Sequence, residues 1–211
     1  MSKVYKQDNM TIHNADCMEI MAGYEDNYFD LAVVDPPYGI GKKLTSGGTW
    51  ADKYSKKDSD WDIAPSKEYF DELQRVSKNY IVWGGNYFSH NLKGARCFIV
   101  WRKLQMLGMH TMADCELALT SFDKNAKIFD GNNSRDRIHV CQKPIKLYDW
   151  IYANYADPDQ KILDTHLGSG SNAIAAHYAK MGEFVGCELD EDYFKSACER
   201  IRKETRQMEL F

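Results

Sequence analysis

The apolar run Phe29-Asp30-Leu31-Ala32-Val33-Val34 ends against Asp35-Pro36-Pro37-Tyr38-Gly39. Two consecutive prolines fix two backbone angles and remove two N–H donors, so a sheet cannot continue through them. A buried strand must stop there in a rigid turn. The turn presents one carboxylate, carbonyls that only accept, and one aromatic ring. In open α/β sheets the carboxyl ends of the strands are where ligands bind. An ordinary Pro-Pro turn with Tyr38 packed in the core is the plain alternative.

The rest of the chain fits an α/β setting. Short apolar runs at 10–13, 29–34, 80–83, 97–101, 115–119, 161–163 and 183–187 read as seven strands. They are mostly continuous rather than alternating, as strands covered by helices on both faces are. Helices are expected from Pro65 to about Lys78, Ser171 to Lys180 and Glu191 to Lys203. The first buries Tyr69, Phe70, Leu73 and Val76; the last opens on acids and closes on Arg200, Arg202 and Lys203, as the helix dipole prefers. Polar stretches at 39–62 and 123–136 read as long loops over a site. With 211 residues, 44% of them hydrophobic, one domain is expected.

Composition closes several routes. A balance of 27 basic and 31 acidic residues gives a net charge of -4, which excludes a uniformly basic nucleic-acid coat but not a local basic face. The N-terminal residues Met1 to Asp8 are polar, and no run approaches the roughly 18 apolar residues a membrane span needs, so a soluble cytoplasmic protein without membrane contact is expected. The six cysteines include no C-x-x-C pair, so no metal is expected; Cys97, Cys115, Cys187 and Cys198 lie in apolar segments and read as buried free thiols.

An exocyclic amino group on a nucleobase suits the 35–38 turn. Its two hydrogens can donate to the Asp35 carboxylate and the Pro36 carbonyl while Tyr38 stacks on the base. Such a nitrogen is a poor nucleophile because its lone pair is delocalised into the ring. Drawing on both hydrogens favours a more tetrahedral nitrogen with a localised pair.

A second motif follows the strand Lys161-Ile162-Leu163: Asp164-Thr165-His166-Leu167-Gly168-Ser169-Gly170-Ser171-Asn172-Ala173, then a helix. Strand, glycine loop and helix is a nucleotide-binding arrangement, and Gly168-x-Gly170-x-x-Ala173 satisfies a loose dinucleotide fingerprint. On that pattern NAD and S-adenosylmethionine are nearly even. Asp164 favours a ligand with a cationic part over a pyrophosphate, and the loop has no lysine or arginine for a P-loop. Glu188, at the end of the next strand, suits the ribose hydroxyls of an adenosine in either cofactor.

Together, Asp35-Pro36-Pro37-Tyr38 and the 164–171 loop resemble the amino-group DNA methyltransferases, which modify adenine N6 or cytosine N4. The catalytic turn precedes the cofactor loop, as in the circularly permuted beta group. Asn14-Ala15-Asp16-Cys17 is similar to the family's short acidic motif. Val82-Trp83-Gly84-Gly85-Asn86-Tyr87 is similar to a glycine turn of phage and mobile-element adenine enzymes. Gln142-Lys143-Pro144 and the helix after it resemble the segment that closes over the methionine part of the cofactor. Thr165 and His166 depart from the family's usual Pro and Phe, with His166 as a flat substitute.

The resemblance implies a Rossmann-like α/β fold: a seven-stranded, mostly parallel sheet with one reversed strand and helices on both faces. It implies one methyltransferase domain over 1–211, with a catalytic half at about 1–120, recognition loops at about 40–62 and 121–138, and a cofactor half at about 139–205. It implies methyl transfer from S-adenosylmethionine to N6 of a flipped-out adenine in DNA, with cytosine N4 as the alternative. Asp35, Pro36, Pro37 and Tyr38 are the expected catalytic set. Asp16, Lys143, Asp164, Thr165, His166, Gly168, Ser169, Gly170, Ser171 and Glu188 are the expected cofactor set.

DNA contact must be local. Lys42, Lys43, Lys53, Lys56 and Lys57 follow the turn, and Arg102, Lys103, Arg135, Arg137, Lys143 and Lys146 extend a candidate phosphate track. The short recognition region leaves room for a homodimer. A NAD(P) oxidoreductase remains the rival of another class, but it gives the 35–38 turn no role.

Overall fold

The computed structural model describes residues 3–40, 62–94, 96–104, 113–132 and 142–206. They form one nine-stranded sheet in the order β1-β2-β9-β8-β3-β4-β6-β5-β7. The strands are β1 (Lys3–Gln7), β2 (Met10–Asn14), β3 (Phe29–Val34), β4 (Ser77–Trp83), β5 (Phe98–Arg102), β6 (Cys115–Thr120), β7 (Lys127–Asp130), β8 (Lys161–Asp164) and β9 (Glu183–Cys187). The helices are α1 (Cys17–Met21), α2 (Lys67–Val76), α3 (Gly85–Phe88), α4 (Ile145–Tyr155), α5 (Ser171–Tyr178) and α6 (Glu191–Arg206).

All seven expected strands are present, and among them only β6 is reversed, antiparallel to both β4 and β5. The count of seven is corrected to nine by two edge strands. β1 pairs antiparallel with β2, and β7 pairs parallel with β5 inside the stretch expected to be a loop. Both are short and exposed over most of their length, so neither has the apolar run that marks a buried strand.

The strands between the edges divide their side chains between two layers. Leu31, Val33, Ile81, Trp83, Ile162 and Phe184 face α4, α5 and α6. Ala32, Val34, Tyr80, Val82, Leu163 and Val185 face α1, α2 and α3. This double covering is why those strands read as continuous apolar runs.

α2 buries Tyr69, Phe70, Leu73 and Val76, as its spacing predicts. Burying Phe70, Leu73 and Val76 contributes about 1.5–3 kcal/mol each. The helix is shorter than expected. It starts after Ser66 and stops at Val76, because Ser77 is already extended and pairs with Phe29 as the first residue of β4. Cys97, Cys187 and Cys198 are buried free thiols, whereas Cys115 is half-buried. Among the described residues no helix is long and apolar enough to cross a membrane.

Candidate active site

β3 and β8 are parallel neighbours, with Leu31 opposite Ile162 and Ala32 opposite Leu163. From β8 the sheet grows through β9 to β2, and from β3 it grows through β4. The crevice where strand order diverges in this way is the ligand-binding point of an open parallel sheet. Asp35 follows β3 and Asp164 ends β8, so both motifs reach that crevice.

Asn172, in the first turn of α5, ties them together. Its side-chain amide donates to the Val33 carbonyl at 3.0 Å and to Asp164 Oδ2 at 2.9 Å. Tyr152 of α4 donates to Asn172 Oδ1 at 2.5 Å. Sequence reasoning placed Asn172 within the loop but gave it no role. The signal was a polar side chain at the start of a helix whose next residues are all small and apolar.

The 35–38 turn is held by charge. Tyr38 donates its hydroxyl to Asp35 Oδ1 at 2.8 Å and lies 3.4 Å from Glu116 Oε2. The Lys143 ammonium pairs with Asp35 Oδ2, and with Glu116 Oε2 at 3.0 Å. Lys103 pairs with Glu116 Oε1 at 2.5 Å. The Lys143 side chain is 3% exposed, and its ammonium lies 5.3 Å from the Trp83 ring centroid.

Burial, then Lys143 in opposition, then the nearby Glu116 carboxylate act on Asp35; the net direction is upward. Burial also acts to raise Glu116, but its two lysines outweigh it and hold that carboxyl down to about 2. Lys143 is shifted upward, since its two carboxylates overcome the burial that opposes its charge.

Tyr38 stacks on Tyr87 with centroids 5.1 Å apart and rings 21° from parallel. Gly84 makes this fit possible. Its φ is +68°, and a Cβ there would stand 2.3 Å from Tyr38 Cε1. The glycine turn at 84–85 therefore serves the aromatic ring of the 35–38 turn.

The glycine loop is built differently. Gly168 and Gly170 take φ of +52° and +73°, which side chains rarely adopt. Leu167 N–H donates to the Cys187 carbonyl at 2.9 Å, and Gly168 N–H to Glu188 Oε2 at 2.9 Å, closing the loop onto β9. Arg200 of α6 donates to the Ser169 carbonyl at 2.8 Å and to Ser171 Oγ at 2.9 Å. Thr165 Oγ1 bonds Tyr69 Oη at 2.6 Å and His166 Nδ1 at 2.9 Å. Thr165, Ser169 and Ser171 thus use their polar groups inside the protein, shaping the loop.

Asp164 accepts from Asn172 and from the His166 N–H at 3.1 Å. Burial pushes its carboxyl up to about 7. Glu188, which also accepts from Asp190 N–H at 3.0 Å, is pushed by burial to about 7 as well. Burial lowers His166 to about 4, so its ring is neutral near pH 7. Asp16 is exposed and caps α1 by accepting from Met18 N–H at 2.9 Å. A loop with two carboxylates pushed toward their protonated forms and two left-handed glycines fits a nucleoside ligand that carries a cation.

Lys143 stands with the 35–38 turn and not with the glycine loop. Lys103 and Lys143 are both drawn into the buried cluster and leave the candidate phosphate track. Arg102 is exposed, but both arms of its guanidinium are on Asp130, at 2.8 and 2.6 Å. Lys42, Lys43, Lys53, Lys56, Lys57, Arg135 and Arg137 lie outside the described residues. Glu116 was missed altogether. Its only trace in the sequence is one acid in the apolar run Cys115-Glu116-Leu117-Ala118-Leu119.

The chain is similar to known proteins. Residues 67–199 fit the model of a DNA methylase family, N6_N4_Mtase. The Type II methyltransferase M.HpaI of Haemophilus parainfluenzae is 24% identical, over 90% of this chain and 73% of its own length. The Type II methyltransferase M1.MboII of Moraxella bovis is 23% identical, over 88% of this chain and 94% of its own length. Among solved structures, the M1.HpyAVI–SAM complex superposes with a TM-score of 0.62 at 20% identity, over 91% of this chain and 98% of that one. The cytosine-N4-specific PvuII DNA methyltransferase superposes with a TM-score of 0.64 at 12% identity, over 96% and 93%. These solved structures share the fold of this chain. The chain belongs to the N6_N4_Mtase family of DNA methylases.

Proposed function

We propose that this DNA methylase transfers a methyl group from S-adenosylmethionine to the exocyclic N6 of adenine, acting on a base turned out of the duplex. The observation that carries the reading is the Asn172 amide, which ties the strand leading into Asp35 to the carboxylate of the glycine loop. A base amino group at one end of this link and a cationic cofactor at the other would face each other across the crevice.

The cofactor set fits the charge and shape of S-adenosylmethionine. Asp164 takes the ammonium and Glu188 the ribose hydroxyls. Gly168 and Gly170 let the backbone approach, while His166, Asp16, Thr165, Ser169 and Ser171 line or support the loop. When bound, the cofactor would supply a methyl carbon on a cationic sulfur, an electrophile for the amino lone pair with the thioether as the leaving group.

The turn orients the acceptor. Asp35 and the Pro36 carbonyl accept the two amino hydrogens, Pro37 makes the turn rigid, and the nitrogen's surplus proton leaves toward Asp35. Base flipping costs a few kcal/mol. Stacking on Tyr38, which Tyr87 braces, recovers about 1–3 kcal/mol. Positioning of this kind contributes roughly 7–11 kcal/mol in well-oriented systems. An aspartate at the head of the turn favours adenine over cytosine, because the cytosine enzymes of the family this chain resembles often carry serine there. Lys42, Lys43, Lys56, Lys57, Arg135 and Arg137 are the candidates for DNA phosphates.

Incubating the protein with duplex DNA and S-adenosylmethionine, then analysing the digested nucleosides by mass spectrometry, tests this. N6-methyldeoxyadenosine is expected. N4-methyldeoxycytidine would reverse the choice of base, and neither product would overturn the reading.

A further inference from the structure

We propose that Lys143 and Glu116 are positioning residues for methyl transfer: Lys143 fixes the Asp35 carboxylate as an ionised acceptor, and Glu116 fixes Lys143. The proposal rests on the functional reading above. It starts from a chemical requirement. A protonated Asp35 would present an O–H donor where the amino group needs an acceptor, and burial favours that protonated form.

The geometry supplies the remedy. Asp35 Oδ2 meets the Lys143 ammonium and Oδ1 meets the Tyr38 hydroxyl at 2.8 Å, so both oxygens are oriented by donors. Lys143 arrives from the segment before α4, and the turn meets it through Asp35 and through the Tyr38 hydroxyl at 3.5 Å. Glu116, on the reversed strand β6, anchors it from outside the turn at 3.0 Å, and Lys103 neutralises the far oxygen of Glu116 at 2.5 Å. Trp83 lies beneath the ammonium at 5.3 Å and the Tyr38 ring centroid is 6.0 Å away. Two carboxylates and two ammonium groups leave the cluster neutral. Asp164 of β8 and Tyr148 of α4 are also coupled to the charge on Asp35. Asp164 disfavours the charge on Asp35, and Tyr148 is held neutral by burial. Among the described residues Lys143 is therefore the cation in direct contact with the reacting turn. Buried ion pairs stabilise folds poorly, so a cluster of this kind at the turn calls for a role beyond holding the fold.

The test is the pH profile of single-turnover methyl transfer for the wild type, Lys143→Met and Glu116→Gln, with cofactor affinity measured alongside by calorimetry. Lys143→Met is expected to move the acid limb up by about one to two pH units. Its plateau rate is expected to fall at least about tenfold. Glu116→Gln leaves a hydrogen-bond acceptor for Lys143 but removes a negative charge beside Asp35. Its acid limb is expected to move down. Shifts of opposite sign are what a merely structural cluster would not give. Limbs that coincide with the wild type in both variants overturn the proposal. If Lys143→Met does not fold, Glu116→Gln decides alone: a limb that stays put or rises overturns it. A wild type that binds the cofactor but methylates neither adenine nor cytosine overturns the functional reading and this proposal with it. An active wild type with unmoved limbs overturns this proposal only.

Discussion

The carboxylates around the β3 turn and those at the ends of β8 and β9 stand on neighbouring strands and meet different partners. Asp35 and Glu116 are matched by Lys143 and Lys103. Asp164 and Glu188 are met by the Asn172 amide and by backbone N–H groups. A cation beside a buried carboxylate opposes the rise that burial imposes, whereas neutral donors oppose it less. Glu116, between two lysines, is held down to about 2; Asp35, with one lysine and the Glu116 carboxylate beside it, is still raised; Asp164 and Glu188 are pushed up to about 7. The difference teaches which ligand each side awaits. The turn already contains its positive charge and is suited to a neutral base. Among the described residues the two acids of the loop meet neutral donors, which suits them to a ligand that carries a cation.

Substitutions should break the two sides separately. Asp35→Ala removes the acceptor but leaves the loop intact. Methyl transfer should fall about a hundredfold to a thousandfold, as on losing one preorganised transition-state contact. Calorimetry should show nearly unchanged affinity for S-adenosylmethionine; loss of both would make Asp35 a structural or cofactor residue. Gly168→Asp should do the converse. It puts a side chain on a residue with φ of +52° and a third acid beside Asp164 and Glu188. Cofactor affinity should fall at least about a hundredfold, since an unpaired buried charge costs several kcal/mol. Unchanged affinity in this variant would remove the cofactor assignment.

Asn172→Ala should blur the comparison, because this side chain belongs to both regions. It leaves the Val33 carbonyl, Asp164 Oδ2 and the Tyr152 hydroxyl without their partner, at about 1–3 kcal/mol for each group left unmet. Thermal stability, cofactor affinity and turnover should all decline together. A variant that loses turnover alone would show that the two motifs are not coupled through Asn172. The smallest effect is expected at Arg102. Asp130 neutralises its guanidinium, so Arg102→Ala should hardly change the slope of log DNA affinity against log salt, whereas a free phosphate contact would remove about 0.9.

What the sequence made legible follows the same physics. The buried strands announced themselves because both their faces are covered, and the two motifs did so because proline and glycine dictate backbone. β1 and β7 escaped because edge strands need no apolar run. The Lys143–Glu116 cluster escaped for another reason. Its members come from β6, from the segment before α4 and from the turn after β3. Only the reversed pairing of β6 with β4 and β5 brings Glu116 to Asp35. Sequence spacing carries no trace of such a meeting. Lys143 was therefore expected with the cofactor loop, on a resemblance that located its segment but not the direction of its ammonium.

The contrast between the two regions is most directly tested by proton linkage of cofactor binding. Free Asp164 and Glu188 are substantially protonated below about pH 7. A cation beside Asp164 and hydroxyl donors on Glu188 favour the ionised forms, so binding must expel protons, and affinity must rise with pH below about 7. Calorimetry of S-adenosylmethionine binding between about pH 5.5 and about pH 7, in buffers of different ionisation heat, reads both quantities. The account predicts proton release and an affinity that rises up to about tenfold per pH unit for each proton released, with the share of Asp164 lost in Asp164→Asn and that of Glu188 kept. An affinity independent of pH, with no proton released, would contradict it.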